Sequence, residues 1–376
     1  ISDEEAYPFI TWVGEEVDEA YYKAVMGIEI NPGLDKSDFK IVYSPQHGAD
    51  NIPVRTCLKR LGYDIVPVLA QCAPDPDYTN TKSPNPEVDA SYELAIKLAK
   101  EVDADVVAIT DPDGDRLGVV AKHNGEYVLM SGNQSAAVYL EYILSQRKEK
   151  GTLPDNAVMY NTIVTSDLGE LVARNYGVDV EKTLTGFKFI GDKIRKYEKT
   201  HEKQFIFGYE ESYGCVVEDF VRDKDAVQAV LLAAECGNYY KKQGKDLIDV
   251  LNELYAKYGT FKESQIALAK AGAAGAARIK EMMDTLRQDK PTEIGGVKVV
   301  LSEDYATSER SDGTTIDLPK SNVLKYYLED GSWIAARPSG TEPKCKFYFS
   351  IKGKDAKDAA DKTEVFHKAM MELIGE

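Results

Sequence analysis

Cysteine and histidine are scarce in this sequence, and neither residue forms a recognisable site. The 376 residues include five cysteines and four histidines, all scattered and without a Cys-x-x-Cys pair. An odd and dispersed set of thiols argues against a disulfide framework or a zinc site. We therefore expect reduced, buried cysteines and a cytoplasmic protein.

Long apolar segments and positive charge are also in short supply. No stretch approaches the ~20 apolar residues of a membrane-spanning helix, and no basic-then-apolar segment resembles a signal peptide. Lys and Arg number 46 against 63 Asp and Glu, which gives a net charge of -17. Because such a surface repels other polyanions, we expect no nucleic-acid and no membrane partner. A small anion could still bind at a local group of basic residues. The chain starts at Ile1, not Met, which suggests a fragment or a processed product.

The sequence contains alternating strand and helix patterns that change character after about Gly259. Before that point, short apolar runs such as Val106–Ile109 alternate with amphipathic helices, as in sheets covered on both faces. After it, an Ala-rich helix is followed by several candidate strands. The pattern predicts two similar α/β domains with mixed sheets, followed by a smaller α+β domain with an antiparallel sheet. The predicted boundaries are 1–130, 131–259 and 260–376.

One strand of the last domain has a clear alternating pattern. Cys345, Phe347, Phe349 and Ile351 occupy alternate positions, with more polar residues between them. Period-two alternation is typical of a strand with one buried face. We therefore predict a half-buried antiparallel strand at Cys345–Ile351.

An acidic loop follows the apolar run at Val106–Ile109. It places Asp111, Asp113 and Asp115 at alternate positions, with Pro112 and Gly114 between them and a basic residue, Arg116, after them. Three carboxylates on one short loop suit a hard cation such as Mg²⁺, whereas without a cation their mutual repulsion is costly. The alternative is a solvated acidic turn.

Two other readings of the acidic loop fail on specific positions. An EF-hand needs Gly at the sixth loop position and Glu at the twelfth, where this sequence has Arg116 and Lys122. A phosphatase of the dehalogenase class needs Thr four residues after its nucleophilic Asp, and Asp115 stands there. The acidic loop is therefore best interpreted as a magnesium site.

A second loop, Arg337–Lys344, lies between two candidate strands. Arg337 has the planar guanidinium that matches phosphate oxygens, Ser339 and Thr341 add hydroxyl donors, and Gly340 allows backbone N–H groups to approach an anion. Taken alone, a hairpin turn is as good an explanation as a phosphate loop. The combination of Arg, Ser, Gly, Thr and Lys within eight residues favours phosphate.

Three weaker signals complete the set. Glu210 and Ser212 follow a strand and lie between two glycines, which suits hydrogen bonds to vicinal sugar hydroxyls. Thr185–Lys188 opens a helix, whose N–H groups favour an anion or a sugar oxygen. Lys224 could transfer a proton, bind phosphate, or form only a surface salt bridge, and on its own the surface interpretation is favoured.

Together and in this order, these motifs resemble the α-D-phosphohexomutase family, and within it the phosphoglucomutase type. The resemblance covers almost the whole chain. Asp111–Arg116 resembles the magnesium loop of the family, and Arg337–Pro343 its phosphate-binding loop. Glu210–Ser212 is similar to the sugar-specificity loop in the Glu-Glu-Ser form associated with glucose phosphates. Thr183–Lys188 resembles another substrate loop, although Leu184 replaces the usual Pro.

The resemblance implies that glucose 1-phosphate and glucose 6-phosphate are interconverted through a phosphoserine and a glucose 1,6-bisphosphate intermediate. Mg²⁺ would bind to the three aspartates, Arg116 would contact the transferring phosphoryl group, and Lys224 would be a proton-transfer candidate or a phosphate contact. The implied substrate-binding residues are Thr185, Gly186, Lys188, Glu210, Ser212, Arg337, Ser339, Gly340 and Thr341. The implied partner is a sugar phosphate, and the expected protein is a monomer or a homodimer.

One expected motif does not occur in this sequence. The family carries its phosphorylated serine in a Ser-His-Asn-Pro type motif within a first α/β domain, whereas Ser44–Gly48 only superficially resembles it. We therefore expect the chain to correspond to domains two to four and to be inactive alone. The alternatives are a phosphomannomutase, which often has Met where Glu211 stands, a phosphopentomutase, which tends to lose the Ser, or a non-catalytic sugar-phosphate binding module.

Overall fold

A computed structural model describes residues 3–340 and 342–376. The chain forms two compact units. The first runs to Ser131 and resumes at Ser212–Leu247, and the second comprises Gly132–Glu211 and Ile248–Glu376. The predicted fold class is confirmed, since two α/β sheets and one antiparallel sheet are present. The three predicted domain boundaries stay a prediction.

The elements alternate along the chain much as the pattern indicated. The helices are α1 Asp3–Ala6, α2 Glu15–Met26, α3 Asn51–Arg60, α4 Glu93–Val102, α5 Gly132–Glu149, α6 Leu168–Asn175, α7 Phe187–Thr200, α8 Ala226–Lys241, α9 Leu247–Tyr258, α10 Gly272–Asp289 and α11 Ala356–Ile374. The strands are β1 Lys40–Ser44, β2 Asp64–Pro67, β3 Val106–Thr110, β4 Leu117–His123, β5 Glu126–Met130, β6 Ala157–Thr162, β7 Asp179–Thr183, β8 Gln204–Tyr209, β9 Cys215–Val216, β10 Thr260–Ala269, β11 Glu293–Ile294, β12 Val297–Asp304, β13 Glu309–Arg310, β14 Leu324–Leu328, β15 Trp333–Pro338 and β16 Lys344–Gly353. Among the described residues, no helix combines the length and apolar character needed to cross a membrane.

The first unit is built on a sheet with strand order β2-β1-β3-β4-β5. Strands β1, β2 and β3 are parallel, and β4 and β5 continue the sheet antiparallel. Every residue of β3 is buried, as expected for a strand covered on both faces. Helix α8 contacts β3 and β4, and its first turn is capped by Asp225, whose carboxylate accepts the Gln228 N–H at 3.1 Å.

The second unit contains two sheets. Strands β7, β6 and β8 are parallel in that order, with α5, α6 and α7 in the same part of the chain. The other sheet has the order β10-β16-β15-β14-β12, and each strand pairs antiparallel with its neighbours in this order. Helix α11 contacts β10 and β16 of this sheet. The antiparallel sheet predicted for the last part of the chain is therefore present.

The prediction of a half-buried strand at Cys345–Ile351 is wrong, because the face with the more polar residues is also largely buried. The segment lies in β16, where Tyr348 and Ser350 are 5% and 1% exposed. The first face packs toward α10 and α11, whereas Tyr348 joins a second apolar cluster on the opposite face. This second cluster comprises Ile163, Val164, Leu184, Tyr305, Ile316, Val323, Trp333, Ala335 and Tyr348. Its members come from distant parts of the sequence, so the local alternation gave no sign of it.

A lysine is completely buried beside this cluster. Lys325, on β14, donates a hydrogen bond from Nζ to the carbonyl oxygen of Ile163 at 2.7 Å. Its ammonium also lies 3.9 Å from the ring centroid of Trp333 and 4.7 Å from that of Tyr327. The hydrogen bond to Ile163 links the antiparallel sheet to the turn that follows β6.

The environment of Lys325 disfavours its charged form. Burial and the nearby Lys182 lower its pKa from 10.5 to about 7, against the opposing effect of Asp167, Glu170 and Glu303. Between these two pH values the unfolded chain binds a proton that the native protein does not. Stability contributed through Lys325 therefore rises with pH over this range.

We predict that Lys325→Met removes this dependence. As the pH rises from about 7 toward 10, wild type should gain stability relative to the variant by up to about 1.4 kcal/mol per pH unit. Urea unfolding of both proteins at pH 7, 8 and 9 measures the difference directly, and groups that titrate identically in both cancel. A difference that stays constant or shrinks with rising pH would contradict the assigned direction.

Candidate active site

The acidic loop is held by backbone contacts from two neighbouring segments of the first unit. The Ala49 N–H donates to the Pro112 carbonyl oxygen at 3.0 Å, and a side chain at Gly48 would overlap Pro112. From the other side, the Ala226 N–H at the start of α8 donates to the Gly114 carbonyl oxygen at 3.0 Å. The loop therefore has a fixed path at the carboxyl end of β3.

The three aspartates of this loop converge. Ligand atoms of Asp111, Asp113 and Asp115 all lie within 4.8 Å of one another. Asp111 is buried, and Oδ1 accepts N–H groups of Asp115 and Arg116 at 3.1 and 3.0 Å. Burial raises the pKa of the Asp111 carboxyl, with a further contribution from the two neighbouring carboxylates.

The donor set suits a divalent cation. All the side-chain ligands are carboxylate oxygens, which Mg²⁺ prefers. The Oδ1 atom of Asp115 is buried and has no hydrogen-bond partner within the described residues. A buried carboxylate oxygen without a hydrogen-bond partner is well placed to coordinate a cation, so the residues present fit the predicted magnesium site.

Two basic side chains lie against the acidic loop. The Arg116 Nε is 3.4 Å from Asp111 Oδ2 and 3.6 Å from Asp115 Oδ1, while its Nη1 is 3.0 Å from Glu87 Oε1. Lys224 Nζ lies 2.8 Å from Asp115 Oδ2. The structure thus brings both predicted catalytic residues to the metal loop, although their catalytic roles stay predictions.

Lys224 is more than an exposed surface lysine. Its side chain is only 14% exposed and also pairs with Asp223. Burial acts to lower its pKa, but the hydrogen bonds to Asp115 and Asp223 outweigh that effect and the pKa is raised. The ammonium therefore remains charged at neutral pH and partly offsets the negative charge of the loop.

A fourth carboxylate under the loop was not anticipated from the sequence. Asp50 is 6% exposed, and its carboxylate occupies the space that a side chain at Gly114 would need. Burial, followed by repulsion from Asp225 and Asp111, raises the pKa of Asp50 to about 7. The sequence analysis did not single out Asp50, because its role depends on the folded positions of Gly114 and the loop aspartates.

Most of the candidate sugar-binding residues lie in the first segment of the second unit, which ends at Glu211. Glu210 is 6% exposed, and its Oε1 accepts the Gly186 N–H at 2.7 Å. Gly186 has φ of +116°, a conformation that favours glycine at the start of α7. The structure therefore brings together two segments that the sequence had marked separately.

The neighbours of Gly186 and Glu210 have different surroundings. The hydroxyl oxygen of Thr185 is buried without a partner in the described part of the chain, whereas Lys188 is exposed. Ser212 is the first residue of the resumed first unit, and the carbonyl oxygen of Tyr213 there accepts the Leu117 N–H at 2.9 Å. The proposed substrate contacts of these residues stay predictions.

The loop after Arg337 connects β15 and β16 as a hairpin. Arg337 lies directly opposite Lys346, and its Nη1 donates to the hydroxyl of Tyr348 at 3.0 Å. Two like charges opposite each other in a sheet are destabilising unless an anion or carboxylate joins them. The hairpin and phosphate-loop interpretations are thus compatible.

The turn of this hairpin lies between Ser339 and Lys344. The Ser339 N–H donates to the Lys344 carbonyl oxygen at 2.7 Å, which closes the turn. A side chain at Gly340 would meet no atom within 4 Å, so internal packing does not require glycine there. Thr341 lies outside the described residues.

Comparison with protein families gives three matches in succession. Residues 19–125 match the model described as phosphoglucomutase/phosphomannomutase, alpha/beta/alpha domain II. Residues 131–258 match alpha/beta/alpha domain III, and residues 271–366 match the C-terminal domain of the same family. The matched segments follow the order in which the motifs occur.

A curated relative and solved structures agree with these matches. The chain is 38% identical over 325 residues to a phosphoglucomutase of Staphylococcus haemolyticus, covering 85% of this chain and 58% of that protein. It therefore spans less than two thirds of that relative. The structure of pp63/parafusin, a phosphoglucomutase from Paramecium, aligns with a TM-score of 0.70 at 18% identity, covering 95% of this chain and 63% of that one. A putative phosphomannomutase from Thermus thermophilus aligns at 0.66, also at 18% identity, covering 96% of this chain and 66% of that one. At this identity, the two structures show the fold alone.

We predict opposite effects on divalent-cation binding from two substitutions at the acidic loop. Asp115→Asn removes a charged ligand and should weaken Mg²⁺ binding by about tenfold. Lys224→Met removes the ammonium that competes for the same carboxylate, so it should strengthen binding several-fold. Calorimetry at pH 7.5 on the 376-residue chain measures both, and the affinity should fall at lower pH as Asp111 becomes protonated.

Asp361→Asn is the matched control for this experiment. Asp361 is an exposed residue of α11 that pairs with Lys357, so its loss should not change cation affinity. Unchanged Mg²⁺ binding in Asp115→Asn, or weaker binding in Lys224→Met, would contradict the assignment of the site.

Proposed function

The chain belongs to the phosphoglucomutase/phosphomannomutase family, the α-D-phosphohexomutases, and on that premise we propose that it serves phosphoglucomutase catalysis. The observation that carries the proposal is the convergence of three aspartates with Arg116 and Lys224 on one loop. Carboxylates for a cation, together with two basic groups, are what transfer of a phosphoryl group requires.

The acidic loop would hold the group that is transferred. Mg²⁺ bound to the three aspartates would offset negative charge on the phosphoryl oxygens. Arg116 has a planar guanidinium that can donate two hydrogen bonds to such oxygens. Lys224 would donate a proton or a hydrogen bond from Nζ, and its raised pKa favours the donor form. These roles account for the presence of both basic side chains beside the loop.

The second unit would hold the sugar and the phosphate that does not react. The Gly186 N–H holds the carboxylate of Glu210 at the start of α7, and this carboxylate would accept a sugar hydroxyl. The unpaired hydroxyl of Thr185 offers a further polar contact next to it. Arg337, Ser339 and Gly340 would bind the phosphate, with Ser212, Lys188 and Thr341 as additional contacts.

The proposed overall reaction interconverts glucose 1-phosphate and glucose 6-phosphate through glucose 1,6-bisphosphate and a phosphoserine. The Ser-His-Asn-Pro motif expected to carry that serine does not occur in this sequence. We therefore propose that this chain supplies the binding and electrostatic part of the reaction. We also propose a cytoplasmic location and a monomeric or homodimeric state.

Phosphomannomutase activity is the second candidate, and the Thermus thermophilus structure carries that name. Glu211 lies between Glu210 and Ser212, where phosphomannomutases often have Met, and this favours glucose phosphates. A non-catalytic binding module is favoured only by the missing serine motif, and the next experiment distinguishes it from a whole enzyme.

We predict that the purified 376-residue chain does not convert glucose 1-phosphate to glucose 6-phosphate, because the expected nucleophile is not in its sequence. The measurement is an assay coupled to glucose-6-phosphate dehydrogenase, with glucose 1,6-bisphosphate and Mg²⁺ present and an authentic phosphoglucomutase as the positive control. Turnover that scales with protein concentration and disappears in Asp113→Asn would show that the chain is a complete enzyme.

We also predict that Arg337→Lys weakens binding of glucose 1-phosphate by about tenfold, since it keeps the charge but loses one charge-assisted hydrogen bond of roughly 1.5–3 kcal/mol. Calorimetry on the chain measures the affinity. Arg60→Lys is the matched control, because Arg60 lies in the first unit and pairs with Glu19 there. Equal affinity of wild type and Arg337→Lys would exclude a bidentate role for Arg337.

A further inference from the structure

The middle residue of the Glu-Glu-Ser segment is anchored away from its neighbour. Glu211 Oε2 accepts hydrogen bonds from the hydroxyls of Thr162 and Thr165, each at 3.1 Å. Both threonines are completely buried. Glu210, by contrast, uses Oε1 to accept the Gly186 N–H. Two adjacent carboxylates are therefore fixed at two different points of the second unit.

The two threonine hydroxyls are arranged as donors. Thr165 Oγ1 accepts the Thr162 N–H at 3.1 Å, and Thr162 Oγ1 accepts the Val164 N–H at 3.3 Å. The two hydroxyl oxygens are also only 2.8 Å apart. Because both oxygens already accept backbone N–H groups, their protons are available for an acceptor, and Glu211 Oε2 is the acceptor that they share.

The turn that carries these hydroxyls is itself fixed on both sides. The Ile163 N–H donates to the Thr183 carbonyl oxygen at 2.9 Å, which continues the pairing of β6 with β7. The Ile163 carbonyl oxygen accepts the hydrogen bond from Lys325 of β14. A buried and doubly attached turn cannot easily reorient its hydroxyls, so it demands an acceptor at position 211.

We propose that Glu211 is a positioning residue that fixes the sugar-binding loop through Thr162 and Thr165. It presents Glu210 and Ser212 to the substrate without contacting the sugar itself. This inference rests on the proposed sugar-phosphate function. It assigns a physical reason to Glu at this position: a Met side chain offers no acceptor, and because only one of the two hydroxyls can donate to the other, at least one buried donor would be left unpaired.

Two substitutions of Glu211 separate anchoring from charge. Both hydroxyls donate to a single oxygen, so the carbonyl oxygen of Gln can replace it in Glu211→Gln, whereas Glu211→Met offers no acceptor. Hydrogen–deuterium exchange of the ligand-free chain reports on the loop amides at 209–213. Calorimetry with glucose 1,6-bisphosphate and with inorganic phosphate reports on binding.

We expect Glu211→Met to accelerate loop exchange and to weaken glucose 1,6-bisphosphate binding by at least about tenfold each, which is the effect expected from the loss of even one hydrogen bond to a charged acceptor. Inorganic phosphate affinity should be unchanged. Glu211→Gln should remain within about threefold of wild type on every measurement. In addition, Thr165→Val should have little further effect in the Glu211→Met background, because the contact is already lost.

Three results would overturn the inference. Unchanged loop exchange in Glu211→Met would show that the threonines do not anchor the loop. Faster exchange with unchanged bisphosphate affinity would show that the anchor does not position the binding residues. Equal losses in Glu211→Gln and Glu211→Met would indicate that the charge of Glu211 acts directly. Failure of the proposed function is recognised separately, as wild type that binds no glucose 1,6-bisphosphate, and the exchange measurement then still decides whether Glu211 anchors the loop.

Discussion

Like-charge repulsion at the carboxyl end of β3 is the constraint on which the first unit depends. Five carboxylates act on one another there, and two of them, Asp50 and Asp111, have raised pKa values because they are also buried. The fold offsets this charge locally with Arg116, Lys224 and the N-terminal N–H groups of α8. Such an arrangement is costly for a merely structural turn and favourable for a loop that binds a cation. The site is thus built from a destabilising interaction that a ligand would relieve.

The second unit contains two local features of the opposite kind, a pair of facing positive charges and a hydroxyl that has no partner among the described residues. Arg337 and Lys346 face each other across two strands, and the hydroxyl of Thr185 is buried without a partner in the described residues. Each of these features favours an anion or a polar ligand oxygen. A candidate cation-binding loop and a candidate anion-binding hairpin on one chain would suit the proposed substrate, which carries phosphate groups and needs a metal for their transfer. This complementarity is independent of the family resemblance and supports the same function.

The sequence predicted those parts of the protein that depend on local patterns. Strand β3 was found because its apolar run is visible within a few residues. The acidic loop was found because its carboxylates are contiguous. Asp50, Thr162 and Lys325 were missed because their significance depends on partners that are distant in the sequence, 49 residues away for Thr162 and 162 residues away for Lys325. The buried second face of β16 was missed for the same reason: no local pattern records which distant loops will cover a strand.

The contacts around Thr162 also explain how two motifs that are distant in sequence keep a fixed relation. Lys325 pairs with Ala335 in the sheet, two residues before Arg337, and its ammonium holds the Ile163 carbonyl oxygen. The same turn holds Glu211, beside the candidate sugar-binding carboxylate Glu210. A path of hydrogen bonds thus joins the strand that carries Arg337 to the candidate sugar-binding loop. In the proposed reaction the substrate would bind in two orientations, with its phosphates exchanged, and the distance between these two elements would have to stay the same in both. Burial of Lys325 has a considerable electrostatic cost. Its hydrogen bond to Ile163 gives a physical reason for that cost, because it links the two elements.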